Sequence, residues 1–166
     1  MPDAPRTARA ANWAPGRARI LNAAEVSEAV VAPDASTCSH QKGPGRSLGS
    51  EAVGLRIQRV PPGKCSSLEH HHLFQEEMVL VLSGEGVLLH GQERIPVRPM
   101  DCVAHLPSDP AAHCFENTGT ADLVILACGN RFGHEVCLYP EEGLAFAEGL
   151  GADIPISPEL LGRLAK

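Results

Sequence analysis

Residues 63–86 read GKCSSLEHHHLFQEEMVLVLSGEG, and the fold can be worked out from this stretch in both directions. It follows a turn-forming Pro61-Pro62, carries three adjacent histidines and two adjacent glutamates, and ends in an apolar run that turns at Gly84-Glu85-Gly86. Successive strand side chains point to opposite faces, so His70 and His72 project together, about 6 to 7 Å apart, while His71 points outward. Glu77 opens the next strand after a short connection, and a hairpin would set its carboxylate beside the two imidazoles. Val79 and Val81 then line the interior below it. Glu76 is expected at the periphery, although a shift of one residue in the turn would exchange it with Glu77.

Upstream, Val53, Leu55 and Ile57 alternate with Gly54, Arg56 and Gln58, the period of a half-buried strand. Arg56 and Gln58 are read as ordinary solvent-side residues, with substrate contact inside the fold as the alternative. Downstream, residues 87–89, 94–97, 102–106, 113–116, 123–128 and 135–139 form further short strands, separated by turns rich in Gly, Pro, Asn and Asp. About eight short strands at such spacing predict an all-β antiparallel sandwich or barrel. His113 opens one of them and shares its face with Phe115 and Asn117.

The flanks look different. Residues 1–19 hold Arg6, Arg9, Arg17 and Arg19 among Pro and Ala, a loosely held N-terminal arm with Trp13 as its anchor. Asn22 and Glu25 have capping-box spacing, so residues 23–31 form either two helical turns or, through Ala29-Val30-Val31, a strand. Residues 33–50 read as a polar, turn-rich connector. Ser157-Pro158-Glu159 supplies the cap, first-turn proline and first-turn acid of a short C-terminal helix. The expected organisation is an arm over 1–48, a barrel over 49–140 and an extension with a helix over 141–166.

Composition limits the function. The 166 residues carry a formal net charge of -6, which repels phosphate backbones and argues against nucleic acid as a partner. No run approaches the roughly 20 apolar residues of a membrane span and the start lacks a signal-peptide core, so no membrane association and a cytoplasmic location are expected. The six cysteines include no C-x-x-C pair, and they read as small buried hydrophobes rather than as a disulfide framework. Cys65 precedes the ligand strand and could face the mouth of the site.

Together, three neutral imidazoles and one carboxylate make a mixed nitrogen and oxygen donor set suited to one divalent transition metal: Fe, Mn, Zn, Ni or Cu. Residues 63–86 and 100–117 resemble the two motifs of the cupin superfamily, whose members are β-barrels that often bind a metal through two histidines and a glutamate of the first motif and one histidine of the second. Placed residue by residue, the resemblance implies His70, His72, Glu77 and His113 as ligands and a jelly-roll barrel as the fold. Met100 departs from the pattern, standing where a glycine usually precedes Asp101, and Asp109 stands where another is typical. Cupins of this kind are often dimers, and exposed edges of a small barrel point the same way, so a homodimer is expected.

The leading reading is a metal-dependent enzyme on a small oxygen-bearing substrate. A redox-active Fe, Ni or Cu would support oxidative cleavage with dioxygen, whereas Zn or Mn would stabilise an enediolate during isomerisation or lysis. In the second case His105, which interrupts an apolar strand, or Glu76 is the candidate proton carrier. A non-catalytic cupin that binds or senses a small molecule is the alternative, and a purely structural metal is a third.

Overall fold

The computed structural model describes residue 16 and residues 18–107 and 109–164. Trp13 and the arginines at 6, 9 and 17 therefore lie outside the described residues. Two sheets face each other. The first runs, in spatial order, β1 (Glu28–Val31), β2 (Ser39–Lys42), β3 (Val53–Val60), β10 (Leu123–Asn130), β5 (Glu77–Ser83) and β8 (Cys102–His105). Opposite it lie two ribbons: β7 (Glu93–Val97), β6 (Gly86–His90) and β9 (His113–Glu116); and β13 (Ala152–Pro155), β12 (Leu144–Ala147), β11 (Val136–Tyr139) and β4 (His71–His72). The ribbons join where the backbones of His70 and His113 exchange hydrogen bonds of 3.2 and 2.8 Å. This is the all-β jelly-roll barrel that the strand spacing and the motifs predict.

The core follows from register. Val60 pairs with Leu123, Gln58 with Ile125 and Arg56 with Ala127, while Ala127 and Ile125 pair on their other side with Val79 and Val81. Directly paired residues share a face, so all of these point inward. Val60, Val79, Val81, Leu123, Ile125 and Ala127 of the first sheet meet Leu88, Val97 and Phe115 of the second in one buried cluster. This register corrects the reading of β3: Gln58 is buried, Arg56 lines the cavity while staying exposed to solvent, and Val53 is 49% exposed. Both faces of β3 carry apolar residues, so alternation alone does not tell which one is covered; pairing with β10 decides it.

The flanks depart further from expectation. Asn22 Oδ1 accepts a 2.9 Å hydrogen bond from Ala24 N, but the helical segment is a single 3-10 turn, Ala23–Glu25, and Ala29-Val30-Val31 takes the strand alternative as part of β1. The stretch read as a connector contains β2 and a helical turn, α1 (Pro44–Ser47). β2 is polar (SHQK) and carries no apolar alternation; β1 and β3 recruit it by backbone pairing. The C-terminal helix, α2 (Pro158–Leu164), is capped as predicted, with Ser157 Oγ accepting from Leu160 N at 3.2 Å. Between 141 and 157 the chain also forms β12 and β13, the latter exposed along its whole length.

At Met100 the departure from the glycine pattern has a structural counterpart. Its φ is 76°, the left-handed region that glycine adopts without a Cβ penalty, and it is the one non-glycine residue with positive φ among those described. Its N–H bonds Val81 O at 2.9 Å, so the turn is held in register by β5.

Candidate metal centre

His70, His72 and His113 arrive from two strands that are fastened to each other. β4 and β9 bring the imidazoles to within 4.7 to 6.0 Å of one another, centroid to centroid. Their ring nitrogens include one from each residue lying within 4.8 Å of the others. Glu77, on the inward face of β5, places Oε2 3.9 Å from His113 Nε2. The four residues singled out from the sequence therefore converge on one cavity of about 350 Å³, which is also lined by Gln58, Gln75 and Tyr139.

Outer partners set which nitrogen faces the cavity. His70 Nδ1 lies 2.9 Å from Leu68 O, a contact that needs the proton on Nδ1 and leaves Nε2 as the free lone pair. His72 Nδ1 lies 3.2 Å from Glu135 Oε1, and the other oxygen of Glu135 accepts the Phe74 N–H at 3.1 Å. Glu135 is buried, and holding a ring through its far nitrogen is what an outer-shell carboxylate does for a ligating histidine. Sequence reading missed it. Glu135 immediately precedes β11, and β11 meets β4 only in the folded chain, so no local spacing marks it.

The test for a metal is what these nitrogens lack. Nε2 of His72 and Nε2 of His113 are buried without a hydrogen-bond partner, a state that is costly for a polar atom unless a ligand or ion completes it. Burial, reinforced by the neighbouring imidazoles, drives the His70 pKa down to about 3 and that of His113 lower still, so both rings are neutral donors at physiological pH. Burial also raises the Glu77 carboxyl above its ordinary value, against the pull of His72 and Arg56. A cation at this point would relieve all of these penalties at once, and the donor set fits a transition metal.

The remaining sequence candidates separate. His105 is inward but sits behind His113, its ring parallel at 5° with centroids 3.4 Å apart, and both of its nitrogens are buried without partners. Burial, with His90 beside it, lowers its pKa to about 4. It opposes Glu77 across the β5–β8 ladder, so Glu77, His105 and His113 form a second trio with donor atoms within 4.8 Å. Glu76 is exposed in the turn, bonded through its backbone N–H to Asn130 Oδ1 at 3.0 Å, and lines neither the histidine cavity nor its neighbour. His71, expected to point outward, is 2% exposed. It does project away from its neighbours, but its backbone pairs with Leu138, which is fully buried, so the face that the two share is covered by protein. Asn117 is structural: its amide donates to Val60 O at 2.7 Å and Ala121 O at 2.8 Å. All six cysteines are free. Cys65 is half-buried against the Cys114 thiol, and Cys114, not Cys65, borders the cavity.

The Cupin_2 family model, a cupin domain, matches residues 56–129. A sugar phosphate isomerase from a cupin superfamily of Silicibacter pomeroyi is 30% identical, with a TM-score of 0.67 over 73% of this chain and 82% of that one. A protein provisionally assigned as a sugar phosphate isomerase from Acidithiobacillus ferrooxidans is 28% identical, with a TM-score of 0.74 over 81% of this chain and 89% of that one. The fold is shared by a Thermotoga maritima protein assigned by prediction as an oxalate decarboxylase, at 20% identity and a TM-score of 0.58 over 68% of this chain and 99% of that one. No curated protein sequence matches the chain significantly. The chain belongs to the cupin superfamily, as a conserved-barrel protein.

Proposed function

We propose that the protein is a metal-dependent isomerase or lyase acting on a small oxygen-bearing substrate through an enediolate-type intermediate, with His70, His72, His113 and Glu77 holding the ion. The observation that carries this reading is the pair of orphaned, buried Nε2 atoms of His72 and His113, which converge with His70 on a cavity that a small molecule can enter. The names borne by the two relatives at 28 and 30% identity support isomerisation ahead of oxidation. Bound there, a divalent ion would supply Lewis-acid stabilisation of negative charge on a substrate oxygen.

The chain's own groups account for binding and orientation. Tyr139 lines the cavity, and burial together with its Cys137 neighbour pushes its hydroxyl above the ordinary phenol pKa, so it stays protonated and can donate to a substrate oxygen. Gln58 Oε1 is buried, unpartnered and on the cavity wall, an acceptor for a substrate hydroxyl. Phe115, Val79 and Ile125 form the floor and exclude water from below. His105 is screened from the cavity by His113, so we assign it a positioning role, packing flat against that ring.

Elemental analysis of untagged protein, beside a His70→Ala, His113→Ala double variant, tests the centre; equal metal in both would reject it. Solvent deuterium incorporation next to the carbonyl of aldoses and ketoses tests the chemistry. Oxygen uptake without such exchange would replace isomerisation by oxidative cleavage, and silence in both assays would favour a binding protein. We also infer a homodimer, supported by β1 at the edge of its sheet, where Val30 is 61% and Val31 39% exposed. Light scattering that shows only a 17.6 kDa species would exclude it.

A further inference from the structure

Beside the histidine cavity lies a second one, of about 390 Å³, and the two share Gln41, Arg56, Gln75, Glu77, Ala127, Glu135 and Glu148 in their walls. Two glycines let its walls approach closely. In the row that carries Glu77, the paired residues on β10 and β3 are Gly129 and Gly54, and neighbouring segments fill the room that their missing side chains leave. A Cβ at Gly129 would lie 2.6 Å from Gln75 Nε2, and one at Gly54 would lie 3.4 Å from Arg131 Nε. Arg131 thus lies across the floor that Gly54 clears.

The walls gather cations. Lys42, Arg46, Arg56 and Arg131 all border this cavity, 4 of the 14 Lys and Arg in a chain whose net charge is -6. Lys42 Nζ donates to Ala24 O at 2.8 Å, whereas none of the three guanidiniums makes a hydrogen bond or ion pair among the described residues. Glu77, Glu135 and Glu148 also border the space; Glu135 is already engaged by His72 and Phe74 N, and Glu77 faces His113. Burial and repulsion from Arg46 and Arg56 depress the Arg131 pKa, and Glu148 opposes that effect, so Arg131 feels its fellow cations more than its anionic neighbour. Unpaired guanidiniums held together around a concave space are a receptor for a doubly charged, multi-oxygen anion.

We propose that this second cavity docks the phosphate monoester of the substrate, held by Arg46, Arg56 and Arg131 with Lys42, while the carbonyl end reaches the histidine cavity past Arg56 and Glu77. The assignment rests on the metal-centre reading for the direction in which the substrate lies, and its own evidence is independent of that reading. It narrows the substrate to phosphorylated polyols or sugars of a few carbons. The same anion could in principle be a carboxylate, and the test separates the two.

Inorganic phosphate and acetate are titrated into the full-length protein by calorimetry, once with metal loaded and once after chelation, with metal content measured on every sample. Phosphate should bind in both states and about tenfold or more tighter than acetate, because three donor forks match its oxygens. Arg46→Gln and Arg131→Gln should each weaken phosphate by about tenfold at unchanged metal content and melting temperature. Arg46 is exposed, so its replacement leaves the core intact. Absent phosphate binding, binding that survives both substitutions, or acetate binding as tight as phosphate would each overturn the proposal. Phosphate binding that persists in protein unable to hold metal would reject the centre and leave this subsite standing; the reverse outcome would reject the subsite alone.

Discussion

The two ends of the barrel are built from the same strands and have opposite chemistry. On β9, His113 and Phe115 share the inward face; on β5, Glu77 is followed by Val79 and Val81; on β3, Arg56 and Gln58 lead to Val60. One end therefore gathers imidazoles, carboxylates and guanidiniums around two cavities, and the other is a dry cluster of aliphatic side chains closed by Phe115. Alternation decides only whether a residue points in or out. Depth along the strand decides whether pointing in means meeting a ligand or meeting the core.

The largest test of that division is a pair of substitutions two residues apart. Phe115→Ala should cost about 3 to 5 kcal/mol by urea unfolding, the ordinary penalty for emptying a ring site in a core. His113→Ala in metal-free protein should cost less than about 1.5 kcal/mol, because the lost packing is offset by removal of a buried, unpartnered nitrogen. Equal losses would erase the distinction between the two ends.

Acidity should strike the polar end next. His70 and His105, with pKa values lowered to about 3 and about 4, stay neutral in the fold, whereas in the unfolded chain histidines titrate near about 6.5. Below that value the unfolded chain binds more protons, so stability is full above about pH 6.5 and falls as the pH drops toward about 4. Glu77 works in the opposite sense, since its raised pKa favours the fold once the carboxyl is protonated, and it offsets part of the loss. A net loss on the order of 2 kcal/mol between pH 7 and pH 5 is expected for metal-free protein, and His105→Leu should flatten the slope. A flat profile would mean that the imidazoles are solvated in solution.

Smaller effects sharpen each end separately. Glu135→Ala removes the acceptor for His72 Nδ1 and should weaken metal binding by about 10- to 100-fold in a chelator competition, with the histidines untouched. Unchanged affinity would leave His72 oriented by packing alone. At the closed end, Met100→Gly should raise stability by up to about 1 kcal/mol, since relief of the left-handed φ outweighs the added freedom of the unfolded chain. A destabilised Met100→Gly variant would show that the exposed methionine earns its place through contacts made outside the single chain.

Much of this was legible along the chain. The period-two runs and turn residues predict the strands from 53 to 139, the spacing of His70, His72 and Glu77 predicts a hairpin that brings these three together, and the resemblance to the cupin motifs adds His113. What could not be read was pairing. β2 has no apolar pattern of its own, the inward face of β3 depends on β10, and Glu135 reaches His72 only because β11 lies beside β4. His71 illustrates the limit well: parity correctly turns it from its neighbours, but whether that direction is solvent or protein depends on what packs over the face it shares with buried Leu138 in the folded chain.

The sequence by itself determined which residues are candidates for chemistry at the histidine cavity, because donor type and strand period are local properties. The histidines, the glutamate and the valines beneath them are arranged by a two-residue repeat that needs no partner to be defined. Only the tertiary structure decided what surrounds them. Register, a property of two strands at once, sets His105 behind His113 and aligns Gly54 with Gly129 where Gln75 and Arg131 pack close, and the folded chain brings Arg46, Arg56 and Arg131 from separate segments to the wall of the second cavity. Their convergence is long-range, and no spacing along the chain encodes it.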